Sequence, residues 1–430
     1  MSWNSPSLSS CRSAWWLTSR PPPVPAPRAG RIRGRAVTAW PERCTGPLIC
    51  SPPPVPAAGS LGSPVPAGRW TPPGGGDVGQ RVTLQTIADR VGVSRMTVSN
   101  AFSKPDQLST GLRREILAAA HDLGYVGPDP AARALARGTT GAVGIVLTSS
   151  LRFAFTDLVA TSFFGAIAER LAPTGLALTL LTSADSGDII PARDVAIDGA
   201  LIYSCDPTSA AVDYLTRRRL PLVYVDQEPL ETVTTINVAD RHGARAAARH
   251  LLDLGHRRIG LLMSGMHPPH GLIDPADVTI DGYAAKQRLL GWCDVLGEAG
   301  ITPLVARQPG ANPEEPRAAA RLLLDRPDRP TAVLCFSDAT AHGVLRAAVD
   351  LGIDVPRDLS VVGFDDNPLA AQLRPALTTV HQDVEAKGKA AATALTRAIA
   401  DARAGVAHVP QHHVLPAELV VRDSTAPPPR

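Results

Sequence analysis

The sequence predicts an α/β protein in which a small helix-turn-helix unit precedes a doubly wound body large enough to form two lobes. Two observations support this prediction. Residues 82–140 show a dense helical pattern, and from Ala142 onward short apolar runs alternate with amphipathic segments. We therefore divide the chain into four parts: an extension (1–80), a helical unit (82–127), a linker (128–140) and a body (141–430).

The extension holds 16 of the 41 prolines and five of the six tryptophans, and it has no helical or strand period. Such a segment is not expected to bury a core. Two interpretations stay open. It is a basic arm that contacts phosphates, or it lies outside the working protein because translation starts at a GTG-type codon for Val78 or Val82. The scarcity of tryptophan in disordered arms favours the second interpretation.

The net charge of +3 is divided unevenly along the chain. Residues 1–76 carry +7, residues 82–140 carry +2 and the body carries −6. A basic front on an acidic body indicates that a polyanion would contact the front.

The six cysteines have no CxxC or paired spacing, so neither a disulfide framework nor a structural zinc site is supported. No apolar run approaches the roughly 20 residues that span a bilayer, and the N-terminus lacks the apolar region of a signal peptide. We therefore expect a cytoplasmic protein that needs no membrane and no cofactor.

The helical unit begins with two very short helical patterns separated by Gly92. In TLQTIADRV the apolar residues fall on one stripe behind Thr83, a suitable N-cap, and Ser94 is the next N-cap. The second helix buries its valine, alanine and phenylalanine side chains. Met96 and Asn100 then point the opposite way, with the flanks of the helix formed by Arg95 and Ser99.

A third helix follows in the helical unit. Ser109 is its predicted N-cap, the apolar residues of LRREILAAAHDL form its stripe, and Gly124 ends it. A compact helix pair with a free outer face is what a helix-turn-helix needs to place side chains in a major groove.

The predicted strands of the body are continuous apolar runs separated by helices, which is typical of parallel strands covered on both faces. The runs are AVGIVLT (142–148), LALTLLT (176–182), GALIYS (199–204), LPLVYVD (220–226), RIGLLMS (258–264), TAVLCFSD (331–338) and LSVVGFDD (359–366). The helices between them include residues 209–218, 241–254 and 339–351.

An ordered series of motifs resembles the lactose/galactose repressor (LacI/GalR) family over about residues 82–425. The motifs are VTLQTIADRVGVSRMTVSNAFS, LGYVGPDPAARALARG, HLLDLGHRRIGLL, RLLGW, DLGIDVPRDLSVVGFDD, PALTTVHQD and LPAELVVRDST. The resemblance implies a transcription repressor that binds an operator in double-stranded DNA as a homodimer or tetramer, and a body that resembles the periplasmic sugar-binding fold.

The resemblance also implies which residues contact DNA. Arg95 and Asn100 would read guanine and adenine edges, and Met96 would offer a thymine methyl only an apolar contact. Residues at register-setting positions would contact phosphates or flank the reading face: Ser94, Thr97, Ser99 and Ser109. In the segment 129–137, which matches the family's hinge helix, Ala132 and Leu135 would face the minor groove, where the paired leucines pry open a base step.

For the body, the resemblance implies a small polar effector, of the sugar or nucleoside class. Arg288 and Asp365 match the family's ligand-binding arginine and hydroxyl acceptor, while Ser337 and Asp338 stand where the family commonly has Asn-Asp. Phe153 and Phe155 either stack on a ligand ring or belong to the core.

Three segments depart from the family pattern. Residues 265–288 are about ten residues longer than usual, residues 310–316 lack an aromatic platform, and Pro191 predicts a stunted helix. The identity of the effector and the sense of its action therefore do not transfer.

The sequence disfavours two other protein classes. The glycines of GTTGAVG precede a strand instead of linking a strand to a helix, and no GxxxxGK[ST] or GxSxG motif is present, so a doubly wound enzyme is not supported. In HPPH the prolines preclude the helical spacing of a metal site, and a solvated loop is expected. A solute-binding protein would have an export signal in place of the helical unit.

Overall fold

The computed structural model describes residues 82–127, 129–147, 151–182, 190–204, 208–265, 268–274, 282–309 and 314–430. The two interpretations of the extension lie outside these residues, as do His267 and most of the segment around residues 310–316. The chain divides into two compact units, and the boundary along the sequence falls between Gly127 and Pro128.

In the first unit, residues 82–127 form a headpiece of three helices. They are α1 (Leu84–Val91), α2 (Arg95–Ser103) and α3 (Thr110–Asp122), with a short 3₁₀ helix at Pro105–Gln107. All three predicted N-caps are formed, and Gly92 ends α1 with φ at 75° in the left-handed region. The 3₁₀ helix was not predicted.

The headpiece has a small apolar core of its own. Its fully buried residues are Ile87, Ala88, Val98, Ala101, Ile116 and Ala120. Phe102 and Tyr125 meet edge to face, with ring centroids 5.6 Å apart. The residues that point inward are those of the predicted stripes, which leaves the opposite side of α2 free.

The second unit begins with a short helix, α4 (Pro130–Arg137), at the predicted hinge position. The Asp129 carboxylate accepts a hydrogen bond from the backbone N–H of Ala132, so Asp129 is the N-cap of this helix.

The first lobe of the body is built on a six-stranded sheet in the order β2-β1-β3-β4-β5-β12, with every neighbouring pair parallel. The strands are β1 (Ala142–Leu147), β2 (Ala177–Thr182), β3 (Ala200–Tyr203), β4 (Leu222–Val225), β5 (Thr234–Val238) and β12 (His412–Leu415). Its helices are α5 (Leu151–Thr156), α6 (Leu158–Leu171), α7 (Pro191–Asp194), α8 (Ala210–Arg217) and α14 (Val384–Ala404). The four residues of α7 match the stunted helix predicted at Pro191.

The second lobe has a five-stranded sheet in the order β10-β9-β6-β8-β7. Its strands are β6 (Ile259–Ser264), β7 (Gly271–Ile273), β8 (Leu304–Gln308), β9 (Ala332–Cys335) and β10 (Ser360–Val362). Only β7, at the edge within the longer-than-usual segment, runs antiparallel among these described strands. Its helices are α9 (Asp240–Asp253), α10 (Tyr283–Glu298), α11 (Glu315–Leu324), α12 (Asp338–Asp350) and α13 (Pro368–Gln372).

The chain passes between the two lobes three times. It leaves the first sheet after β5, returns from β11 (Thr379–Gln382) into α14, and leaves again from β12 into β13 (Ala417–Val420). The strands β11 and β13 pair antiparallel at the second lobe. This connectivity confirms the predicted doubly wound fold with two lobes.

A buried histidine holds the base of the second lobe together. His256 lies 2.9 Å from Thr331 Oγ1 through Nδ1 and 2.9 Å from the Ala426 carbonyl through Nε2. Burial lowers the pKa of His256. The imidazole is therefore a structural element of the second lobe.

No helix of the described residues is both long and apolar enough to cross a bilayer. In the same part of the chain, Cys293 and Cys335 are free, and no three His, Cys, Asp or Glu side chains come close enough together to hold a metal ion.

Candidate functional site

The N-terminal end of α2 presents a solvent-exposed face. Ser94 Oγ accepts from the backbone N–H of Thr97 at 3.0 Å, which fixes the first turn. Arg95 is exposed, and the Met96 side chain is 69% exposed. Methionine is usually buried, so its exposure on this face is unusual. Both side chains are therefore free to meet another molecule.

Asn100 is less free than its place on the outer face suggests. It is half-buried, and its Nδ2 donates to Gln107 Oε1 of the 3₁₀ helix at 3.2 Å. Ser99 and Thr97 are also half-buried, whereas Ser109 is exposed and caps α3. Gln107 thus orients the Asn100 amide, a contact that the sequence did not indicate because the 3₁₀ helix was not foreseen.

Helix α4, at the predicted hinge position, carries an exposed leucine. Leu135 is 87% exposed on α4, and Ala132 one turn earlier is exposed as well. An exposed leucine on a two-turn helix gains nothing from its own chain, so the position is suited to an intermolecular contact.

In the body, Arg288 of α10 lies in an enclosed cluster of charges. Its Nε donates to Asp240 Oδ1 at 2.8 Å, and its Nη1 lies 3.3 Å from Asp365 Oδ1 and donates to the Phe336 carbonyl at 2.6 Å. The guanidinium sits 3.6 Å from the centre of the Phe364 ring. Burial lowers the pKa of Arg288, but the two carboxylates outweigh it and hold that pKa above its ordinary value.

A second cation completes the cluster. The Lys387 ammonium, on the first turn of α14, donates to Asp226 Oδ2 at 3.0 Å and to Gln382 Oε1 at 3.1 Å. Gln382 in turn donates to Asp365 Oδ1 at 2.7 Å. Asp226 follows β4 and Asp365 follows β10, so the network joins the carboxyl ends of both sheets. We call Asp226, Asp240, Arg288, Asp365 and Lys387 the charge cluster.

The charge cluster contains two unsatisfied acceptors. Asp226 Oδ1 and Asp240 Oδ2 are buried and have no hydrogen-bond partner among the residues that the structure describes. Buried carboxylate oxygens need donors, since an unmade hydrogen bond to a charged group costs more than about 1–3 kcal/mol. Burial also raises the pKa of Asp365 to about 6, against the opposing effect of Arg288. The charge cluster can therefore accept hydrogen bonds from the donor groups of a bound molecule.

Aromatic rings lie beside the cluster in the first lobe. Phe163 and Tyr203 stack with centroids 4.6 Å apart, and the Lys387 ammonium is 5.8 Å from the Phe163 ring. Burial is the chief cause that raises the pKa of Tyr203. The negative charges of Asp226, Asp157 and Asp365 raise this pKa further. These rings come from α6 and β3, whereas the sequence singled out the phenylalanines of α5.

The structure separates the predicted ligand residues into two groups. Arg288 and Asp365 lie together in the charge cluster. Ser337 is half-buried and caps α12, and Asp338 is fully buried, with its carboxylate accepting from Thr379 Oγ1 and from the Asn367 backbone N–H. Phe155 is 70% exposed on α5, and the side chain of Phe153 lies outside the described part of the chain.

Asp338 is expected to make folding depend on pH. Burial, together with the charge of Asp365, raises the pKa of Asp338 to about 8. The protonated carboxyl therefore favours the folded state at low pH, and this contribution to the free energy of unfolding is lost as pH rises from about 4 through about 8. We expect Asp338→Asn to raise the melting temperature relative to the wild type at pH 8.5 more than at pH 5, as measured by calorimetry. The exposed Asp253→Asn is the control, and equal shifts at both pH values would contradict the assignment.

Comparison with known proteins gives two family matches. A model described as "Bacterial regulatory proteins, lacI family" matches residues 83–127, and one described as "Periplasmic binding protein-like domain" matches residues 248–425. The first match covers the headpiece, and the second begins within α9 and continues beyond β13.

The chain is also similar to individual proteins. The HTH-type transcriptional regulator IpsA of Corynebacterium glutamicum is 37% identical over 332 residues, 74% of this chain and 91% of that protein. A crystal structure of the lac repressor dimer bound to operator and the anti-inducer ONPF has a TM-score of 0.65 at 26% identity, covering 81% of this chain and 100% of that one. A complex of the transcriptional regulator CelR with cellobiose has a TM-score of 0.55 at 27% identity, covering 80% and 100%.

Proposed function

Because the chain belongs to the lacI family of bacterial regulatory proteins, we propose that it is a repressor whose homodimer binds a pseudo-palindromic operator and is controlled by a small polar effector. The observation that carries this proposal is the presence, in one chain, of an exposed α2 face and an enclosed charge cluster in which two described carboxylate oxygens have no hydrogen-bond donor. A dimer with two-fold symmetry imposes the same symmetry on its site.

In this proposal, Arg95 and Asn100 read base edges in the major groove, Met96 makes an apolar contact, and serine and threonine hydroxyls bind phosphates. The exposed Arg95 supports the first role, and the hydrogen bond that Asn100 Nδ2 donates to Gln107 Oε1 orients the Asn100 amide. Leu135 serves as the minor-groove wedge, for which its 87% exposure is the support.

The charge cluster favours an uncharged, polyhydroxylated effector such as a free sugar. Three carboxylates face two cations, so a phosphorylated ligand would meet net repulsion, whereas hydroxyl groups would donate to Asp226 Oδ1 and Asp240 Oδ2. The solved cellobiose complex of CelR shows that a sugar is bound in a protein similar to this one. Thermal-shift measurements with free sugars, sugar phosphates and nucleosides test the class, and stabilisation by sugar phosphates alone would contradict it.

The DNA-binding proposal is tested by fluorescence anisotropy of the full chain with duplexes selected from a random library. We expect binding to a selected duplex to weaken by about 10³-fold or more between 50 and 200 mM salt, because phosphate contacts release counterions. A scrambled duplex is the control. Failure to select any duplex, while a sugar still stabilises the chain, would instead indicate a solute-binding protein.

A further inference from the structure

The segment that joins the hinge helix to the body is short and tightly held. Four residues, 138–141, separate α4 from β1, and both glycines in it, Gly138 and Gly141, have φ near +70°. The Gly141 carbonyl accepts from the Ala177 backbone N–H at 2.8 Å. Left-handed backbone at two of four positions sets a definite path for this linker.

One buried carboxylate binds the end of the linker. Asp198 lies just before β3. Its side chain is 7% exposed, and its carboxylate accepts three hydrogen bonds. The donors are the backbone N–H of Thr140 at 2.7 Å, the backbone N–H of Gly141 at 2.9 Å and Arg403 Nη2 at 2.8 Å. Charge-assisted bonds of this kind are about twice as strong as neutral ones.

Arg403 lies at the last turn of α14, the helix that carries Lys387 at its other end. Sixteen residues separate the two, or about 24 Å along the axis at 1.5 Å per residue. The helix packs closely on α6 near Lys387, since a Cβ at Gly388 would lie 2.7 Å from Ala166 Cβ and 2.8 Å from the Phe163 carbonyl. One continuous helix therefore spans from the charge cluster to the linker.

We propose that Asp198 and Arg403 are positioning residues that fix the linker to the first lobe, so that any movement of this lobe is passed to the hinge helix instead of being absorbed by the linker. This inference rests on the proposed function. Lys387, which bonds Asp226 of the first lobe and Gln382 of the second, marks the end of α14 at which the lobes meet. Asp198, Arg403 and α14 together link that junction to the helix that carries Leu135.

The test uses the full chain with a selected duplex and its scrambled counterpart. We expect Asp198→Ala to lower the ratio of specific to non-specific affinity by about 10-fold or more, in the range of a typical coupling. Arg403→Ala, which removes one of the three donors, should lower this ratio less, and the double variant should match Asp198→Ala because all three bonds end on one carboxylate. Arg403→Lys should restore most of the loss.

Amide hydrogen exchange supplies a readout that does not depend on DNA. In Asp198→Ala we expect the amide hydrogens of Thr140, Gly141 and the hinge helix to exchange faster. The exchange rates in the strands of both sheets should not change. Arg217→Ala, which breaks an exposed ion pair with Asp213 in the same lobe, is the matched control. If Asp198→Ala does not fold, Arg403→Ala is measured in its place. The Arg403 side chain is half exposed, so its truncation should disturb the fold less.

The two failures are distinguishable. If the wild type selects no duplex, the proposed function is wrong. If the wild type binds specifically and both Asp198→Ala and Arg403→Ala keep the wild-type ratio and exchange rates, the positioning role is wrong and the proposed function stands.

Discussion

Leu135→Ala is expected to lower affinity for the selected duplex by about 100-fold while affinity for a scrambled duplex changes little. The leucine is 87% exposed, so its truncation removes nothing from the fold. In the proposed dimer two leucines would enter the opened base step, and burying each would stabilise the complex by about 1.5–3 kcal/mol. Part of that gain offsets the cost of unstacking, which is a few kcal/mol. Fluorescence anisotropy with both duplexes measures the two affinities.

The matched control is Val349→Ala, since Val349 is 79% exposed on α12, far along the chain from the hinge. It should change neither affinity. Equal losses on the selected and the scrambled duplex in Leu135→Ala would mean that the side chain contributes to general DNA contact, and the wedge assignment would be wrong.

Arg288→Met is expected to have the largest effect in the body. The substitution conserves much of the side-chain volume but leaves Asp240 and Asp365 buried without their cation. Breaking a buried pair in this way costs about 3–5 kcal/mol of unfolding free energy. A sugar that raises the melting temperature of the wild type should not raise that of Arg288→Met, because the variant lacks the guanidinium group. Denaturant unfolding and thermal shift with that sugar measure the two effects.

The destabilisation should depend on pH. Burial raises the pKa values of Asp240 and Asp365, and loss of Arg288 removes the charge that opposes this effect. Stability is therefore lost as pH rises, and Arg288→Met should be more destabilised at pH 8 than at pH 5. Adding Asp240→Asn should restore part of the loss at pH 8. Arg245→Met, which breaks exposed ion pairs with Asp294 and Glu298, is the control, and an equal loss there would contradict the role of burial.

Local patterns were sufficient to predict the headpiece and most of the body. The three caps and the glycine stop of α1 follow from residues within one turn of each other, and the seven predicted strands all form. Six strands were not predicted: β5, β7, β8, β11, β12 and β13. TTINV and LVARQ carry polar residues at buried positions, and HHVL is a short, exposed edge strand between prolines.

The charge cluster was only half predicted, and the reason is sequence distance. Asp240 lies 48 residues from Arg288, and Asp226 lies 161 residues from Lys387. No local pattern reports such contacts. One signal was present for Lys387. It occupies a position in the apolar stripe of α14, with Gly388, Ala391 and Leu395, where a lysine is exceptional unless it is paired.

The three passages of the chain between the lobes determine the order in which the protein can fold during synthesis. The first sheet gains its last strand, β12, only at Leu415, and the second lobe needs β13 and Ser424, whose Oγ donates to the Val361 carbonyl. Neither lobe can be completed before nearly the whole chain has left the ribosome. The headpiece, whose apolar core is formed by residues between Val82 and Tyr125, can fold about 300 residues earlier, before the C-terminal strands of the body are made.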